Sequence, residues 1–212
     1  MIPTVASLAD EVVRRAQGLD RILVGIAGPP GAGKTTLADA LRDELAVRGE
    51  RAAVLPMDGF HMDNALLDQR GLLKVKGAPE TFDVRGLSDV VRALAVANED
   101  VLVPIFDRSR EIAIAAARNI ALDTRIILVE GNYLLLNETP WNVLDGVFHL
   151  TIFVGPAYQV LESRLRHRWI QYGYDEAAIA VKLYENDLPN GKRIIENSRK
   201  ADFVIEEFEI GK

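Results

Sequence analysis

Residues 28–36 read GPPGAGKTT and meet the spacing G-x-x-x-x-G-K-[ST] at Gly28, Gly33, Lys34 and Thr35. Glycines let the backbone curl so that successive N–H groups point inward at a polyphosphate. Pro29, Pro30, Gly31 and Ala32 make the body of that curl. A helix opening near Lys34 aims the positive end of its dipole at the same oxygens. In this pattern Lys34 reaches the β- and γ-phosphates and the Thr35 hydroxyl ligates Mg2+, while Thr36 adds a second hydroxyl beside a phosphate. An apolar run precedes the motif directly and a helical pattern follows it, which is the context the motif demands. The expectation is an ATP site loaded with Mg2+.

Binding a nucleotide does not define a reaction. A phosphoryl-transferring enzyme also needs a carboxylate to take the acceptor hydroxyl's proton and arginines to neutralise the phosphoryl group. Asp58, in MDGFH at 57–61, and Glu130, in VEGNY at 129–133, each follow a strand pattern and precede a glycine. The plain reading of Asp58 is an Asp-Gly turn, and that of Glu130 a helix cap or ion-pair partner. In RLRHRW at 164–169, Arg164 and Arg168 are four apart and share a helical face. That face is either a cover that swings over phosphates or a solvated charged surface. His61 stands close enough to Asp58 to meet a substrate, whereas His149 and His167 read as structural. A guanine-reading N-K-x-D is missing, and the loose D-x-x-G pattern occurs twice, at 68–71 and 83–86, so it carries little information.

The elements that must position these groups alternate. Helices are expected at 6–16, 35–48, 87–98, 157–168 and 175–188. Strands are expected at 21–27, 51–56, 101–106, 125–129, 149–154 and 203–206. The rhythm calls for an α/β fold of three layers, a mainly parallel sheet flanked by helices on both faces. Residues 59–84 lack a clear period, and residues 111–123 read as a strand pair or a short helix. Such segments sit above the carboxyl ends of strands, where ligands bind in open α/β sheets.

Seven stretches in order, GPPGAGKTT at 28–36, PMDGFHMDN at 56–64, KGAPETFDV at 76–84, PIFDRSRE at 104–111, VEGNYLLL at 129–136, RLRHRW at 164–169 and ENDLPNG at 185–191, carry a family likeness. The chain resembles the small-molecule kinases of the phosphoribulokinase/uridine kinase/pantothenate kinase group. Within that group it is most similar to bacterial proteins named as candidate fructose-transport-system kinases or nucleoside-kinase-like proteins. The resemblance implies the P-loop NTPase fold with an arginine-bearing lid, in one domain over 1–212 with a substrate-shaping excursion at about 59–84 and the lid at about 160–175. It implies that Asp58 is the general base, that Glu130 lies near Mg2+ or substrate, and that Lys34, Arg164 and Arg168 act on the transferring phosphoryl group. It implies further that Asn190 lies where the chain turns past the nucleotide base. Phe60, His61, Lys76, Phe82 and Arg108 then shape the acceptor pocket. Glu130 stands where many P-loop enzymes carry Asp, and residues 104–111 depart from the more aromatic pattern of uridine kinases.

The acceptor expected is a sugar such as fructose or another polyol-like metabolite, with a nucleoside and a pantothenate-type precursor as the alternatives. Asp58, Asp63, Asn64 and Arg70 suit a polyol, and Phe60 and Phe82 a base. An alternative of another class is a regulatory nucleotide-binding module of a transport system, which keeps Lys34 and Thr35 but needs no base at 58. The family often forms dimers, so a homodimer is expected only from the resemblance. Over 212 residues the chain is 49% hydrophobic and 26% charged, with net charge −6. That suits one globular domain and speaks against a nucleic-acid or anionic-membrane binder, which would carry a basic footprint. The chain contains no cysteine, so it has neither a disulfide framework nor a thiolate nucleophile. With no signal-peptide pattern and no apolar run of about 18 residues, a cytoplasmic protein with no membrane insertion is expected.

Overall fold

The computed structural model describes residues 3–96 and 98–209. Its strands are β1 (Ile22–Ala27), β2 (Ala52–Pro56), β3 (Val101–Asp107), β4 (Ile112–Ile120), β5 (Ile126–Gly131), β6 (Leu150–Val154) and β7 (Phe203–Ile205). The α-helices are α1 (Val5–Arg15), α2 (Lys34–Val47), α3 (Asn64–Gln69), α4 (Val84–Val96), α5 (Tyr158–Gln171), α6 (Glu176–Val181) and α7 (Leu188–Asn197). Five strands form a parallel sheet in the order β2–β5–β1–β6–β7.

The sheet is apolar on both faces because helices cover both. Leu23, Leu55, Ile127 and Val129 point into a core closed by α4, Tyr133 and Trp141. Their strand neighbours Ile22, Val24, Ile126 and Leu128 point into the other core, against α1 and α2. Every residue of β1 and β5 is buried, as strands covered on both sides must be. Each buried Leu or Ile contributes roughly 1.5–3 kcal/mol by leaving water, so the register is strongly held. It pairs Pro56 and Ile26 with Glu130 and Ala27 with Gly131. The carboxyl ends of β1, β2 and β5 therefore finish level, and the loops after them share one rim.

Three expectations change. The strand expected at 101–106 does not join the parallel sheet; it pairs antiparallel with β4 as a separate ribbon. Val103 is buried while Leu102 is 60% exposed, so β3 has one dry face and cannot serve as a central strand. Asp107 closes the connecting turn by accepting the Ser109 hydroxyl (2.6 Å) and the Ser109 and Arg110 N–H groups (2.9 and 3.2 Å). The ribbon covers the edge strand β2, with Arg118 of β4 donating to the Val54 carbonyl at 2.7 Å.

The helix expected at 175–188 continues to Asn197 through α6, a π-helical stretch Lys182–Asp187 and α7. Pro189, Asn190 and Gly191 look like a turn but sit in the first turn of α7. Proline is tolerated there because no N–H is needed. Gly191 lies against the phosphate-loop prolines, its place for a Cβ 3.4 Å from the Pro29 Cβ. The helix expected at 87–98 begins at Val84, because Asp83 accepts the Gly86 N–H at 2.9 Å as its cap. It is described to Val96, and position 97 lies outside the described residues.

Candidate active site

β1 delivers the chain into the phosphate loop. At Gly28 (φ +151°) a Cβ would lie 2.1 Å from the Val154 carbonyl oxygen of β6, so only glycine lets the loop leave the sheet there. α2 then begins at Lys34 after Gly33, in a left-handed conformation with no side-chain cap. The first-turn N–H groups of α2 therefore lack a side-chain acceptor and suit phosphate oxygens. The Lys34 ammonium donates to the Pro29 carbonyl at 2.9 Å and is 7% exposed. Burial lowers its pKa to about 8, against the favourable charges of Glu130 and Asp58. Arg168 and Arg108 depress it further.

Glu130 is the penultimate residue of β5, not the residue after it, and it is buried. The Thr35 hydroxyl donates to its Oε1 at 3.3 Å. Burial raises the Glu130 pKa, partly offset by Lys34. Among the described residues no three metal-binding side chains gather. Thr35 and Glu130 thus suit a Mg2+ ion that takes its remaining ligands from phosphate and water. Burial disfavours the Glu130 charge, and a cation beside Thr35 would favour it again.

Asp58 lies in a 3₁₀ turn, Met57–Phe60, directly after β2. Its carboxylate is paired with Arg108 from the ribbon turn. The ribbon comes this close because a Cβ at Gly59 would sit 2.6 Å from the Pro104 carbonyl oxygen. The His61 Nδ1 is 2.8 Å from the Asp58 carbonyl, which can only accept, so Nδ1 carries the proton. Burial lowers the His61 pKa and keeps the ring neutral. The ring lies between Phe82 and Phe106, with centroids 4.1 and 4.6 Å away. Lys76 donates to the Asn64 Oδ1 (2.7 Å) and the Glu111 carbonyl (2.8 Å) and stands 5.1 Å over the Phe106 ring.

The other sequence candidates divide. Phe60 and Phe82 are buried in the core, where Phe82 meets Tyr133 and Trp141 edge-on. Arg164 lies on the phosphate loop, donating to the Ala32 carbonyl at 3.1 Å. Asn190 does not stand at a turn. Its side chain donates to the Asn186 Oδ1 (2.8 Å), and Asn186 donates to the Lys76 carbonyl (3.1 Å). His149 accepts the Leu23 N–H at 3.1 Å and joins two strands. Sequence reasoning missed Asp187 and Phe106. Asp187 accepts the Trp169 Nε1–H at 2.7 Å, feels Arg168, and lines a cavity of about 130 Å3 beside Pro30. The cluster of polar residues inside an otherwise helical stretch at 185–190 was the available signal.

The sequence model of the phosphoribulokinase/uridine kinase family matches residues 23–210. The chain belongs to that family. It is therefore a P-loop small-molecule kinase, an ATP-dependent phosphotransferase acting on a hydroxyl group. An uncharacterised Escherichia coli protein, YggC, is 35% identical over 194 residues, which cover 91% of this chain and 80% of that one. A candidate uridine kinase of Schizosaccharomyces pombe is 30% identical, with 98% and 94% covered. The solved structure of a candidate fructose transport system kinase from Silicibacter sp. TM1040 superposes with a TM-score of 0.90 at 40% identity, covering 95% of this chain and 98% of that one. No helix among the described residues is long and apolar enough to cross a membrane.

Proposed function

We propose that this kinase phosphorylates a hydroxyl of a polyol-like metabolite, of which a sugar such as fructose is the first type. The observation carrying that reading is the character of the acceptor end. Asp58, Arg108, Lys76 and Asn64 supply polar groups there. Phe60 and Phe82, the rings a nucleoside base would stack on, are 7% and 3% exposed. The Phe106 face already carries the Lys76 and Arg108 cations.

In this reading the loop 28–36 and the first turn of α2 hold the triphosphate, and Lys34 bridges its terminal phosphates. Thr35 and Glu130 would hold Mg2+, which would supply charge neutralisation for the phosphates when bound. Asp58 turns from Arg108 to the acceptor hydroxyl, orients it and takes its proton. The hydroxyl oxygen bonds to the γ-phosphorus as the bond to the ADP oxygen breaks. Arg164 and Arg168 from α5 stabilise the transferring group, and α5 excludes water.

The test is an ADP-release assay with ATP and Mg2+ over sugars, nucleosides and vitamin precursors, beside Asp58→Asn. One compound should raise turnover well above background, and the variant should lose about a hundredfold or more of that stimulated rate. Nucleotide binding with a background rate indifferent to both compound and variant would instead support a regulatory module.

A further inference from the structure

His61 carries a hydrogen-bonding group that the phosphoryl-transfer scheme leaves unused. Its backbone is pinned on both sides. His61 forms a β-bridge with Phe82, the Met62 N–H donates to the Thr81 carbonyl (3.0 Å), and the Asp83 N–H to the Phe60 carbonyl (2.8 Å). Its ring is held between Phe82 and Phe106, with centroids 4.1 and 4.6 Å away. Both the backbone and the flanking rings therefore fix where the imidazole edge points.

The contact with Asp58 sets the tautomer. Nδ1 lies 2.8 Å from the Asp58 carbonyl, which only accepts, so the proton of the neutral ring is on Nδ1. Burial keeps the ring neutral, and the Lys76 and Arg108 charges act the same way against that of Asp58. Nε2 is left with a bare lone pair, and among the described residues no group donates to it. Among those residues the buried side-chain nitrogen or oxygen without a partner is the Ser198 hydroxyl, not Nε2. The Nε2 edge is therefore open to solvent, on a ring whose other nitrogen is tied to the Asp58 backbone. A lone pair of this kind is satisfied only by a donor, and an O–H is what a polyol supplies.

Resting on the kinase reading above, we propose that His61 determines acceptor specificity: its Nε2 accepts a hydrogen bond from a second hydroxyl of the acceptor while Asp58 engages the hydroxyl that is phosphorylated. The acceptor then carries at least two hydroxyls. A mono-alcohol would leave the lone pair unmatched once water is excluded, which costs affinity.

Two measurements test this. The first is 15N NMR of histidine-labelled protein loaded with a non-hydrolysable ATP analogue and Mg2+, with the His61 signals assigned by their loss in His61→Asn. Nε2 should show the shift of an unprotonated nitrogen, and titration with fructose, ribose, ribitol and glycerol should move it for at least one of them. A protonated Nε2, or one indifferent to every compound, overturns the proposal. The second is kinetic. Whichever of those polyols is turned over is compared with its monodeoxy and deoxyfluoro analogues, since fluorine cannot donate. Loss of the contacted hydroxyl in either form should lower kcat/KM about tenfold in the native chain and hardly at all in His61→Asn. An equal loss in both proteins overturns the contact.

Two variants separate this role from a structural one. His61→Asn keeps a donor for the Asp58 carbonyl and lacks the distal acceptor, and His61→Gln does the reverse. The acceptor KM should rise about tenfold in His61→Asn and recover in His61→Gln, with little change in the KM for ATP in either. Recovery in His61→Asn instead would show that the ring only holds the Asp58 turn, overturning the proposal while leaving the kinase reading intact. If none of the polyols is turned over, the polyol-kinase reading fails by that result alone, and the Nε2 signal still decides whether this edge binds a hydroxyl.

Discussion

The phosphate end of the site comes from nine consecutive residues, 28–36, plus Glu130 on the adjacent strand. The proposed acceptor end comes from Asp58, Lys76 and Arg108, which lie on a turn, a loop and a ribbon, with Asn186 of a helix holding the Lys76 carbonyl. The two ends also hold their charges differently. Lys34 and Glu130 are buried, and their pKa values are moved mainly by desolvation. Asp58 and Arg108 are partly exposed and paired to each other. A polyphosphate is common to every kinase of this kind, and a short rigid motif suffices to hold it. An acceptor differs between enzymes, and a site drawn from separate segments can change one segment at a time.

The largest test of that contrast is a pair of substitutions. Lys34→Ala and Asp58→Asn should each lower kcat by about a hundredfold or more. Lys34→Ala should also weaken nucleotide binding, whereas Asp58→Asn should leave the KM for ATP near its native value. Steady-state kinetics with both substrates varied would reveal whether the ends are separable. If Asp58→Asn disturbs ATP binding as much as Lys34→Ala does, the division is wrong.

Next in size is a pH effect confined to the phosphate end. Lys34 has a lowered pKa, about 8 against 10.5 for the free side chain. Between those values the unfolded chain binds more protons than the folded one, so the Lys34 contribution makes stability rise with pH. The full window corresponds to about 3 kcal/mol, one unit being about 1.4. Urea unfolding from pH 8 to 10 should show this slope in the nucleotide-free protein and lose it in Lys34→Met. Bound ATP should flatten it as well, because the phosphates restore the ammonium's preference for its proton.

At the acceptor end Gly59→Ala should cost about 1–3 kcal/mol, since the new methyl displaces the ribbon at Pro104. Its Tm should fall by several degrees, and its acceptor KM should rise more than its KM for ATP. The smallest effect is expected at Asn186, which joins a helix resting on the phosphate loop to the Lys76 carbonyl. Asn186→Ala removes two hydrogen bonds, one to the Lys76 carbonyl and one from Asn190, about 1 kcal/mol each, and should raise the acceptor KM severalfold. An equal rise in the KM for ATP would show that this helix couples the two ends.

The loop at 28–36 and the helix start after it were legible because they depend on neighbours in sequence: glycines that curl, and a lysine at a set spacing from them. The strand assignments of β1 and β5 were legible for a related reason, since burial on both faces leaves continuous apolar runs. The helix expected to end at 188 runs on because Pro189 fits the first turn of a helix as well as a stop, and local pattern does not separate the two. The strand at 101–106 misled because period alone does not say which sheet a strand joins.

By itself, then, the sequence determined a P-loop α/β kinase domain and singled out the segment 28–36 proposed to handle phosphates, since those are properties of short contiguous segments. Only the tertiary structure decided that β3 and β4 form a ribbon over Asp58, that Phe60 and Phe82 are withdrawn into the core, and that Lys76 and Arg108 both lie by the Phe106 ring. Those facts depend on which distant segments pack together. Packing is set by the whole apolar pattern and by close approaches such as Gly59 on Pro104, none of which a single segment encodes.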